Sequence, residues 1–347
     1  MHNNIDFIAY YFSKNEGVGV QRARYLYKFL QTNGYLPILH SSDTFGYMAK
    51  RSKFLWGIIL LIKLIFSKNK KLYATCGPFW FLPIIWLIGK LRKTKLIYDF
   101  RDPWSFNIER GYGNINKRGN HLKILISRFI EKNIYNDCFS FWVCTPGMYE
   151  LYRNLFKDDT KLKFVPNGYE FTRDEIINNN ENVCGPLKNA IKIVCLGRMA
   201  VHGISHTKKL FSEINGYIKE NKNKSISIQL IGTEKDEIEK IVSDMKLDKI
   251  VTFLPKQDHK KALGIAVTSD VGICLVRDEN YELGTKAFDY IGLGIPILDI
   301  FDHTKNFYNY FKEYIIKIED IEYLHKYSPP KELYRGYIFK SVLESFN

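Results

Sequence analysis

The sequence predicts an α/β protein with two Rossmann-like, doubly wound domains that face a cleft. The chain has 347 residues, about twice what one hydrophobic core usually takes. Short β-branched and aromatic runs alternate with segments of helical length throughout. This rhythm is typical of right-handed βαβ units and of parallel sheets buried on both faces. A polar stretch between the two halves completes the pattern.

In the first half, six apolar runs are predicted strands, and residues 20–33 and 122–136 have the length and pattern of helices. The predicted strands are Asp6–Tyr10, Leu36–His40, Lys71–Thr75, Lys95–Phe100, Ser140–Thr145 and Lys163–Pro166. The second half repeats the rhythm. Its predicted strands are Lys192–Leu196, Ser227–Ile231, Val251–Leu254, Val271–Leu275 and Ile297–Ile300.

The domain boundaries follow from composition. Residues 171–190 contain the polar, non-periodic segment DEIINNNENVCG, which suits a linker. We therefore expect a first domain at 1–170 and a second domain at 191–325. In the final segment, 326–347, residues 331–346 resemble one amphipathic helix, and we expect it to cross back to the first domain.

Composition narrows the class of protein. Hydrophobic residues make up 46% and charged residues 25%, which is typical of a globular chain rather than a disordered or fibrous one. The net charge of +14 favours an anionic partner such as a nucleotide, nucleic acid, phospholipid surface or phosphorylated carrier. The lysines are spread along the chain and no nucleic-acid reader motif occurs, so we expect no nucleic-acid partner.

Cysteine spacing and the N-terminus indicate a reducing compartment. The six cysteines form no CxxC pair and no Cys/His cluster at metal spacing, so a structural metal or a disulfide framework is not expected. The start, MHNNIDFIAYYF, lacks the basic-then-apolar order of a signal peptide. We therefore expect a cytoplasmic protein.

Two apolar stretches, Phe54–Phe66 and Phe79–Leu91, have 13 residues each, whereas a bilayer span needs roughly 20. They could be helices packed on a sheet. Alternatively, one of them lies on a membrane surface, because lysines and arginines flank both stretches. That alternative would make the protein peripheral at the inner face of the plasma membrane.

Four segments have residue types suited to a phosphate and a sugar. Gly17 and Gly19 precede the first predicted helix, where backbone N–H groups can approach an anion, although a ligand-free turn fits equally. The segment DFRDPW (99–104) ends a predicted strand. Its Arg101 either pairs with an aspartate or holds a phosphate, while a carboxylate there can accept sugar hydroxyl protons.

In the predicted second domain, Gly197-Arg198 follows the strand IKIVCL, and the next helix has Lys208 and Lys209. Basic side chains at a strand end near a helix N-terminus can clamp a diphosphate, or they can be merely solvated. The segment YELGTKAFDYIGLGIP (281–296) predicts a short helix capped by Gly284 or Thr285. Asp289 lies about one turn further on and could accept ribose hydroxyls.

Taken in order, these segments resemble the GT-B glycosyltransferases of the family-4 type, retaining enzymes common in bacterial cell-surface polysaccharide synthesis. The stretch FSKNEGVGVQRARYLYKFLQTNGY is similar to the family's opening glycine loop and first helix. LIYDFRDPW, FVPNGYE, IVCLGRM and TKAFDYIGLGIPIL are similar to later landmarks. The resemblance covers nearly the whole chain.

The resemblance implies a UDP- or GDP-linked sugar donor held mostly by the second domain, an acceptor held by the first, and no metal. Arg198 with Lys208 or Lys209 would bind the diphosphate, Asp289 the ribose, and Leu254-Pro255 the base. The donor-binding residues implied in this way are Gly17, Gly19, Gly197, Arg198, Lys208, Lys209, Leu254, Pro255, Glu282, Gly284, Thr285, Lys286 and Asp289.

One departure concerns the family's E-x7-E element. Its first Glu should fall at Tyr281, and the nearest acid, Glu282, gives E-x6-D with Asp289. Either Glu282 reaches the donor sugar from a shifted turn, or backbone and hydroxyl groups make those contacts.

The implied chemistry stabilises a leaving diphosphate through Arg198, Lys208 and helix amides. Asp102 is our hypothesis for the residue that orients or deprotonates the acceptor hydroxyl, with His121 as the alternative base. The predicted acceptor-binding residues are Arg101, Asp102, Trp104 and His121, and a lipid-diphosphate-linked glycan is the preferred acceptor. A nucleotide-sugar epimerase or hydrolase, and a non-catalytic partner subunit, are the other readings.

Overall fold

The computed structural model describes residues 3–13, 20–46, 52–110, 120–178, 190–199, 203–221, 223–323 and 327–347. The chain divides into two compact units. The first unit comprises Met1–Pro166 with Ile338–Asn347, and the second comprises Asn167–Tyr337. Each unit has one six-stranded, fully parallel sheet flanked by helices, which confirms the predicted α/β class.

The sheet of the first unit has the strand order β2-β1-β3-β4-β5-β6. Every predicted strand of this half lies within two residues of the observed one, because strands buried on both faces are continuous apolar runs. The observed strands are β1 Asn4–Ile8, β2 Leu36–His40, β3 Lys71–Cys76, β4 Lys95–Phe100, β5 Ser140–Val143 and β6 Leu162–Phe164.

Helices cover both faces of this sheet. Along one face, α1 and the last ten residues of the chain share a core that includes Phe7, Leu26 and Phe346. The other face packs against α2, α3, α5 and α6, in a core that includes Trp56 and Ile134. The helices of this half are α1 Gln21–Thr32, α2 Lys53–Phe66, α3 Leu82–Leu91, α4 Trp104–Arg110, α5 His121–Asp137 and α6 Pro146–Phe156.

The two long apolar stretches form α2, and a 3₁₀ turn at Phe79–Phe81 followed by α3. Searched over the described ranges, the helices include none that is long and apolar enough to cross a membrane. Five of the six cysteines are buried free thiols, as expected from their apolar surroundings, and Cys184 lies outside the described residues.

The sheet of the second unit has the strand order β12-β11-β10-β7-β8-β9. The two-residue strand β12 was not predicted, because so short a run has no pattern. The observed strands are β7 Ala190–Leu196, β8 Ser225–Ile231, β9 Val251–Leu254, β10 Val271–Ile273, β11 Ile297–Leu298 and β12 Ile315–Ile316. The helices are α7 Arg173–Asn178, α8 Ile204–Glu220, α9 Lys235–Asp244, α10 His259–Ala266, α11 Thr285–Gly292 and α12 Asn306–Phe311.

The predicted linker begins with a helix, α7, whose Ile176 is buried in the core of the second unit. Residues 179–189 of that linker lie outside the described residues. The prediction of one continuous helix at 331–346 is wrong. The backbone of Leu333 and Arg335 instead hydrogen-bonds to Tyr169, at 3.1 and 2.8 Å. Those groups are therefore not in a helical ladder.

The segment consists of 3₁₀ turns at Lys331–Leu333 and Leu343–Phe346 on either side of the short helix α13, Arg335–Ser341.

Candidate functional site

In the second unit, two loops meet where β7 and β8 end. The Thr233 hydroxyl donates to the carbonyl oxygen of Gly197 at 2.8 Å, and Met199 N donates to Glu234 Oε2 at 3.1 Å. Gly197 has a φ of +92°, a conformation that favours glycine. These contacts fix the loop that carries Arg198 at the carboxyl edge of the sheet, where ligands bind in open α/β sheets.

The Arg198 side chain is 67% exposed, and its Nε lies 3.6 Å from Glu234 Oε1. Ion pairing at this exposure is weak. The guanidinium therefore remains accessible to an anion at the strand end.

Lys286 extends toward the same loop. A Cβ built on Gly197 would lie 3.9 Å from Lys286 Cε. Lys286 Nζ is 3.2 Å from Asp289 Oδ2, and His259 Nε2 is 3.1 Å from the same oxygen. The predicted helical neighbours Lys286 and Asp289 are thus in contact, and His259 joins them from the start of α10.

Asp289 is held as an anion. Burial pushes the pKa of its carboxyl upward, but the charge of Lys286 and the hydrogen bond to His259 outweigh burial and lower it to about 2. Both recorded contacts use Oδ2. From the described residues, Oδ1 receives no recorded hydrogen bond and can serve a further donor.

The helix α11 begins at Thr285, and Gly284 rather than Thr285 is its N-cap, at a φ of +63°. A Cβ on Gly284 would lie 3.1 Å from both Cys274 Sγ and Val276 Cγ1. Close packing as well as conformation therefore favours glycine here. The N-cap residue makes no side-chain hydrogen bond to the helix, and Ala287 N donates to the carbonyl oxygen of Gly284 at 3.2 Å.

Tyr290 fastens this helix to the sheet. Its hydroxyl accepts a hydrogen bond from Leu196 N at 2.9 Å and lies 3.1 Å from the carbonyl oxygen of Ile273. Its ring occupies the space above Gly272, where an added Cβ would come within 2.5 Å of it. The position of the neighbouring Asp289 is therefore set by the core.

The predicted lysines of α8 differ in their contacts. Lys208 is exposed on the first turns of the helix. Lys209 Nζ lies 3.2 Å from the carbonyl oxygen of Ile300 and 3.8 Å from Glu213 Oε1. Lys209 therefore has local partners, and Lys208 is open to solvent.

Glu282 is engaged by Arg277, whose Nη2 lies 2.9 Å from Oε1 and whose backbone N–H donates to Oε2 at 3.0 Å. A contact to a sugar would have to be made beside this ion pair. Of the predicted base-pocket residues, Leu254 is half-buried at the end of β9 and Pro255 is exposed just after it. Gly17 and Gly19 lie outside the described residues.

In the first unit, the predicted acceptor residues follow β4. Asp102 is exposed, and Trp104 stacks on Phe79 with ring centroids 5.5 Å apart. Arg101, which follows β4 directly in the sequence, is half-buried. His121 is exposed at the first position of α5, and the described residues include no recorded contact from it to Asp102 or Trp104.

Two buried clusters near these residues were not anticipated. Arg22 makes paired hydrogen bonds to Asp99 at 2.8 and 3.0 Å, and Tyr73 donates to the same carboxylate at 2.6 Å. Arg22 also donates to the carbonyl oxygen of Pro166 at 2.7 Å. Asp99 is thus a structural partner of Arg22 and Tyr73.

The second cluster surrounds Glu131, which is fully buried. Its Oε1 accepts from Ser105 N at 3.1 Å and from the Tyr152 hydroxyl at 2.7 Å. Tyr152 in turn accepts from Trp104 N at 3.3 Å. Burial raises the pKa of Glu131. This cluster anchors the start of α4 and thereby positions Asp102 and Trp104.

His259 and Glu234 were also not predicted as site residues from the sequence. Asp258 caps α10 through Lys261 N at 3.1 Å, so the sequence DHKKAL does signal a helix start. No local pattern shows that His259 meets a carboxylate 30 residues further along.

As for a metal, no group of three or more His, Cys, Asp or Glu side chains suited to one occurs in the described part of the chain.

Comparison with known proteins gives structural likeness only. No family model matches the chain, and no curated protein sequence matches it. Sucrose-phosphate synthase from Thermosynechococcus elongatus superposes with a TM-score of 0.61 at 12% identity, over 99% of this chain and 90% of the other.

Two further solved structures are similar. The lipopolysaccharide outer core galactosyltransferase WaaB has a TM-score of 0.58 at 11% identity, over 99% of this chain and 98% of the other. A putative UDP-N-acetylglucosamine 2-epimerase from Listeria monocytogenes has a TM-score of 0.57 at 9% identity, over 99% and 95%. The chain therefore shares the α/β fold of these solved structures, with two parallel six-stranded sheets flanked by helices.

Proposed function

We propose that this protein is a retaining glycosyltransferase that moves a sugar from a nucleotide-sugar donor to a glycan or lipid-diphosphate-linked acceptor in cell-surface polysaccharide synthesis. The observation that carries the proposal is the group at the strand ends of the second unit. There, Lys286 contacts the ionised Asp289 and reaches the loop that carries the exposed Arg198, and α11, with Gly284 as its N-cap, begins without a side-chain cap.

The cationic part of this group suits a diphosphate. In the transfer, the bond between the anomeric carbon and the diphosphate oxygen breaks, and its electron pair stays on the diphosphate. The acceptor oxygen then bonds to the same carbon and loses its proton. Arg198, Lys208 and the amides of α11 would stabilise the charge that develops on the leaving group. Pre-positioned donors of this kind need no side-chain nucleophile.

The anionic part suits a ribose. Lys286 and His259 keep Asp289 ionised through Oδ2, which leaves Oδ1 to accept ribose hydroxyls. Leu254 and Pro255 would line the base, which is uracil in a UDP-linked donor or guanine in a GDP-linked one. The donor sugar itself would meet Glu282 beside Arg277, or backbone and hydroxyl groups.

The acceptor would bind to the first unit. Asp102 is exposed, and its loop is fixed by the buried Glu131–Tyr152 pair through Trp104 N. A carboxylate in such a loop can orient or deprotonate an acceptor hydroxyl. His121 is the alternative base.

The test is thermal unfolding of the full chain with UDP, GDP and a panel of their sugars. A ligand that binds only the folded state, at a concentration of about 100 times its Kd, adds about 2.7 kcal/mol of stability. Nucleotides with one of the two bases should therefore raise the Tm, and those with the other should not. Arg198→Ala should abolish that rise, whereas Lys219→Ala, an exposed lysine on the last turn of α8, should keep it. If no nucleotide or nucleotide sugar shifts the Tm at millimolar concentration, the proposal is wrong and a non-catalytic role gains support.

A second candidate is epimerisation or hydrolysis of a nucleotide sugar, because one structural neighbour is titled a putative UDP-N-acetylglucosamine 2-epimerase. Product analysis separates the two candidates. Transfer consumes the donor only when an acceptor is present and yields a glycoside. An epimerised or hydrolysed donor formed equally fast without acceptor would replace our proposal by this one.

A further inference from the structure

The outer surface of α2 is apolar although it is exposed. Phe54, Ile58, Ile62, Ile65 and Phe66 are 72%, 39%, 51%, 53% and 78% exposed. Their spacing of three, four and eight residues places them on one side of the helix, opposite the buried Trp56, Leu60 and Leu64. An ordinary surface helix would have polar residues there.

The next two helices on the same face of the sheet repeat this feature. At the 3₁₀ turn and α3, Trp80, Leu87 and Leu91 are 38%, 52% and 75% exposed. Each of these positions would be polar on an ordinary water-facing helix.

Along α5, Leu122, Leu125, Ile126 and Phe129 are 61%, 49%, 49% and 65% exposed. Three consecutive helices of this face therefore present large apolar side chains outward.

The three helices are neighbours. Trp80 packs against Gly57 of α2, where an added Cβ would come within 2.4 Å of its ring. Trp86 Nε1 of α3 donates to Asp137 Oδ2 at the end of α5, at 2.7 Å. The exposed side chains of α2, α3 and α5 therefore form one surface, which we call the three-helix face. Isolated exposed apolar residues are ordinary, but a contiguous set of this size marks an interaction site.

The basic groups near the three-helix face are mainly on α3 and α5, where Lys90, Lys123 and Lys132 are exposed. The ammonium groups of the exposed Lys53 and Lys63 of α2 lie over the rings of Tyr10, Tyr11 and Phe45 instead. Of the acids on the same helices, Glu131 is buried inside and Asp137 holds Lys90 at 2.8 Å. Apolar residues surrounded by lysines match an anionic bilayer, in which apolar groups enter the acyl boundary and ammonium groups meet the headgroups.

We propose that the three-helix face docks the protein on the surface of an anionic phospholipid bilayer, with α2, α3 and α5 lying in the plane of the interface. A second copy of the chain fits less well, because a two-fold contact would place two copies of the same basic face against each other. The inference does not depend on glycosyl transfer, since it needs only the exposed surface of the first unit.

The test is cosedimentation of the full chain, without nucleotide, with vesicles of phosphatidylcholine alone or mixed with phosphatidylglycerol. We expect binding to the anionic vesicles, weaker at high salt, and little binding to the neutral ones. Phe54→Ser/Phe129→Ser should weaken binding by about tenfold or more. Each Lys→Gln change at Lys123 or Lys132 should weaken it about fivefold. Both phenylalanines are exposed, so these variants should stay folded.

The matched control is Ile177→Ser/Tyr337→Ser, which removes two exposed apolar side chains from the second unit and should bind like the unmodified protein. Equal loss in test and control variants, or no binding of the unmodified chain to anionic vesicles, would overturn the proposal. So would a dimer, seen by light scattering, that Phe54→Ser/Phe129→Ser converts to monomer. Because no donor is used, these outcomes are independent of the nucleotide-sugar experiments.

Discussion

The two units share a sheet architecture but differ in where their unusual residues lie. Of the 19 large apolar side chains recorded as exposed in the described ranges, 17 belong to the first unit and two, Ile177 and Tyr337, to the second. Two arginines also differ. The paired Arg22 and Asp99 of the first unit are buried, whereas Arg198 of the second is 67% exposed at a strand end.

The contrast shows that one fold supports two kinds of surface. In the first unit the buried charges hold the sheet and its loops, and the outer helices offer an apolar, basic face. In the second unit only two large apolar side chains of the described ranges are exposed, and Arg198, Lys286 and Asp289 lie near the carboxyl ends of the strands. Function therefore has to be argued from each surface, since the shared sheet topology does not distinguish them.

The largest expected effect concerns the buried Arg22–Asp99 pair of the first unit. Asp99→Leu leaves the Arg22 guanidinium buried without its carboxylate and should lower the free energy of unfolding by about 3–5 kcal/mol. Urea unfolding of the full chain measures it, and Arg22→Met/Asp99→Leu should recover much of the loss. Glu282→Leu, which breaks the more exposed pair with Arg277, should cost less than about 1 kcal/mol. Equal effects in the two units would contradict this division.

The second prediction separates the two surfaces by activity. Arg198→Ala should lower kcat/KM for the donor by about 10²–10³-fold, as loss of a donor to developing negative charge does elsewhere. Vesicle binding by this variant should be unchanged. Phe54→Ser/Phe129→Ser should weaken vesicle binding and leave kcat/KM for the donor unchanged when the acceptor is soluble. If either variant impaired both properties, the two surfaces would not be independent.

The third prediction concerns pH. The pKa of Asp289 falls from an ordinary 3.8 to about 2 in the folded protein. A lowered folded pKa gives stability that is present above the unfolded pKa and is lost as the pH falls through the folded one. Asp289 should thus contribute about 2 kcal/mol above pH ~4, lost between pH ~4 and ~2. The measurement is the difference in unfolding free energy between the protein and Asp289→Asn, which should shrink as the pH falls through this window. A pH-independent difference would refute the ionised state.

The smallest effect is expected at Glu131. Burial raises its folded pKa above the ordinary 4.5, so its contribution is present below the unfolded pKa and declines as the pH rises through the folded one. Glu131→Gln keeps the acceptor for Tyr152 and removes the titration, and it should change stability by less than about 1 kcal/mol near pH 4.5. As the pH rises, the unfolding free energy of the variant should increase relative to that of the original protein. The opposite trend would count against a buried, protonatable carboxyl.

The sequence predicted the parts that local pattern determines. The strands were placed within two residues, because parallel strands between helix layers are apolar throughout. Arg198 at a strand end and the contact of Lys286 with Asp289 follow from strand and helix periodicity. The Arg22–Asp99 pair joins residues 77 apart, and His259 meets Asp289 across 30, so neither contact has a local signature.

The error at 331–346 has the same origin as the missed contacts. Its apolar spacing fits a helix. However, the backbone groups of Leu333 and Arg335 form hydrogen bonds with the backbone of Tyr169, which is distant in the sequence. Tertiary pairing here overrides a helical pattern that is otherwise sound.

The last residues of the first unit have a consequence for biosynthesis. Phe346 lies in the core with Phe7, and Tyr35 donates to Asn347 at 2.5 Å, so the sheet near the N-terminus is covered by chain made after residue 337. On the ribosome, the unit that starts first must therefore wait with one side of its sheet uncovered while the whole of the other unit emerges. Domains usually mature in the order of synthesis, and this topology lets the later unit finish first.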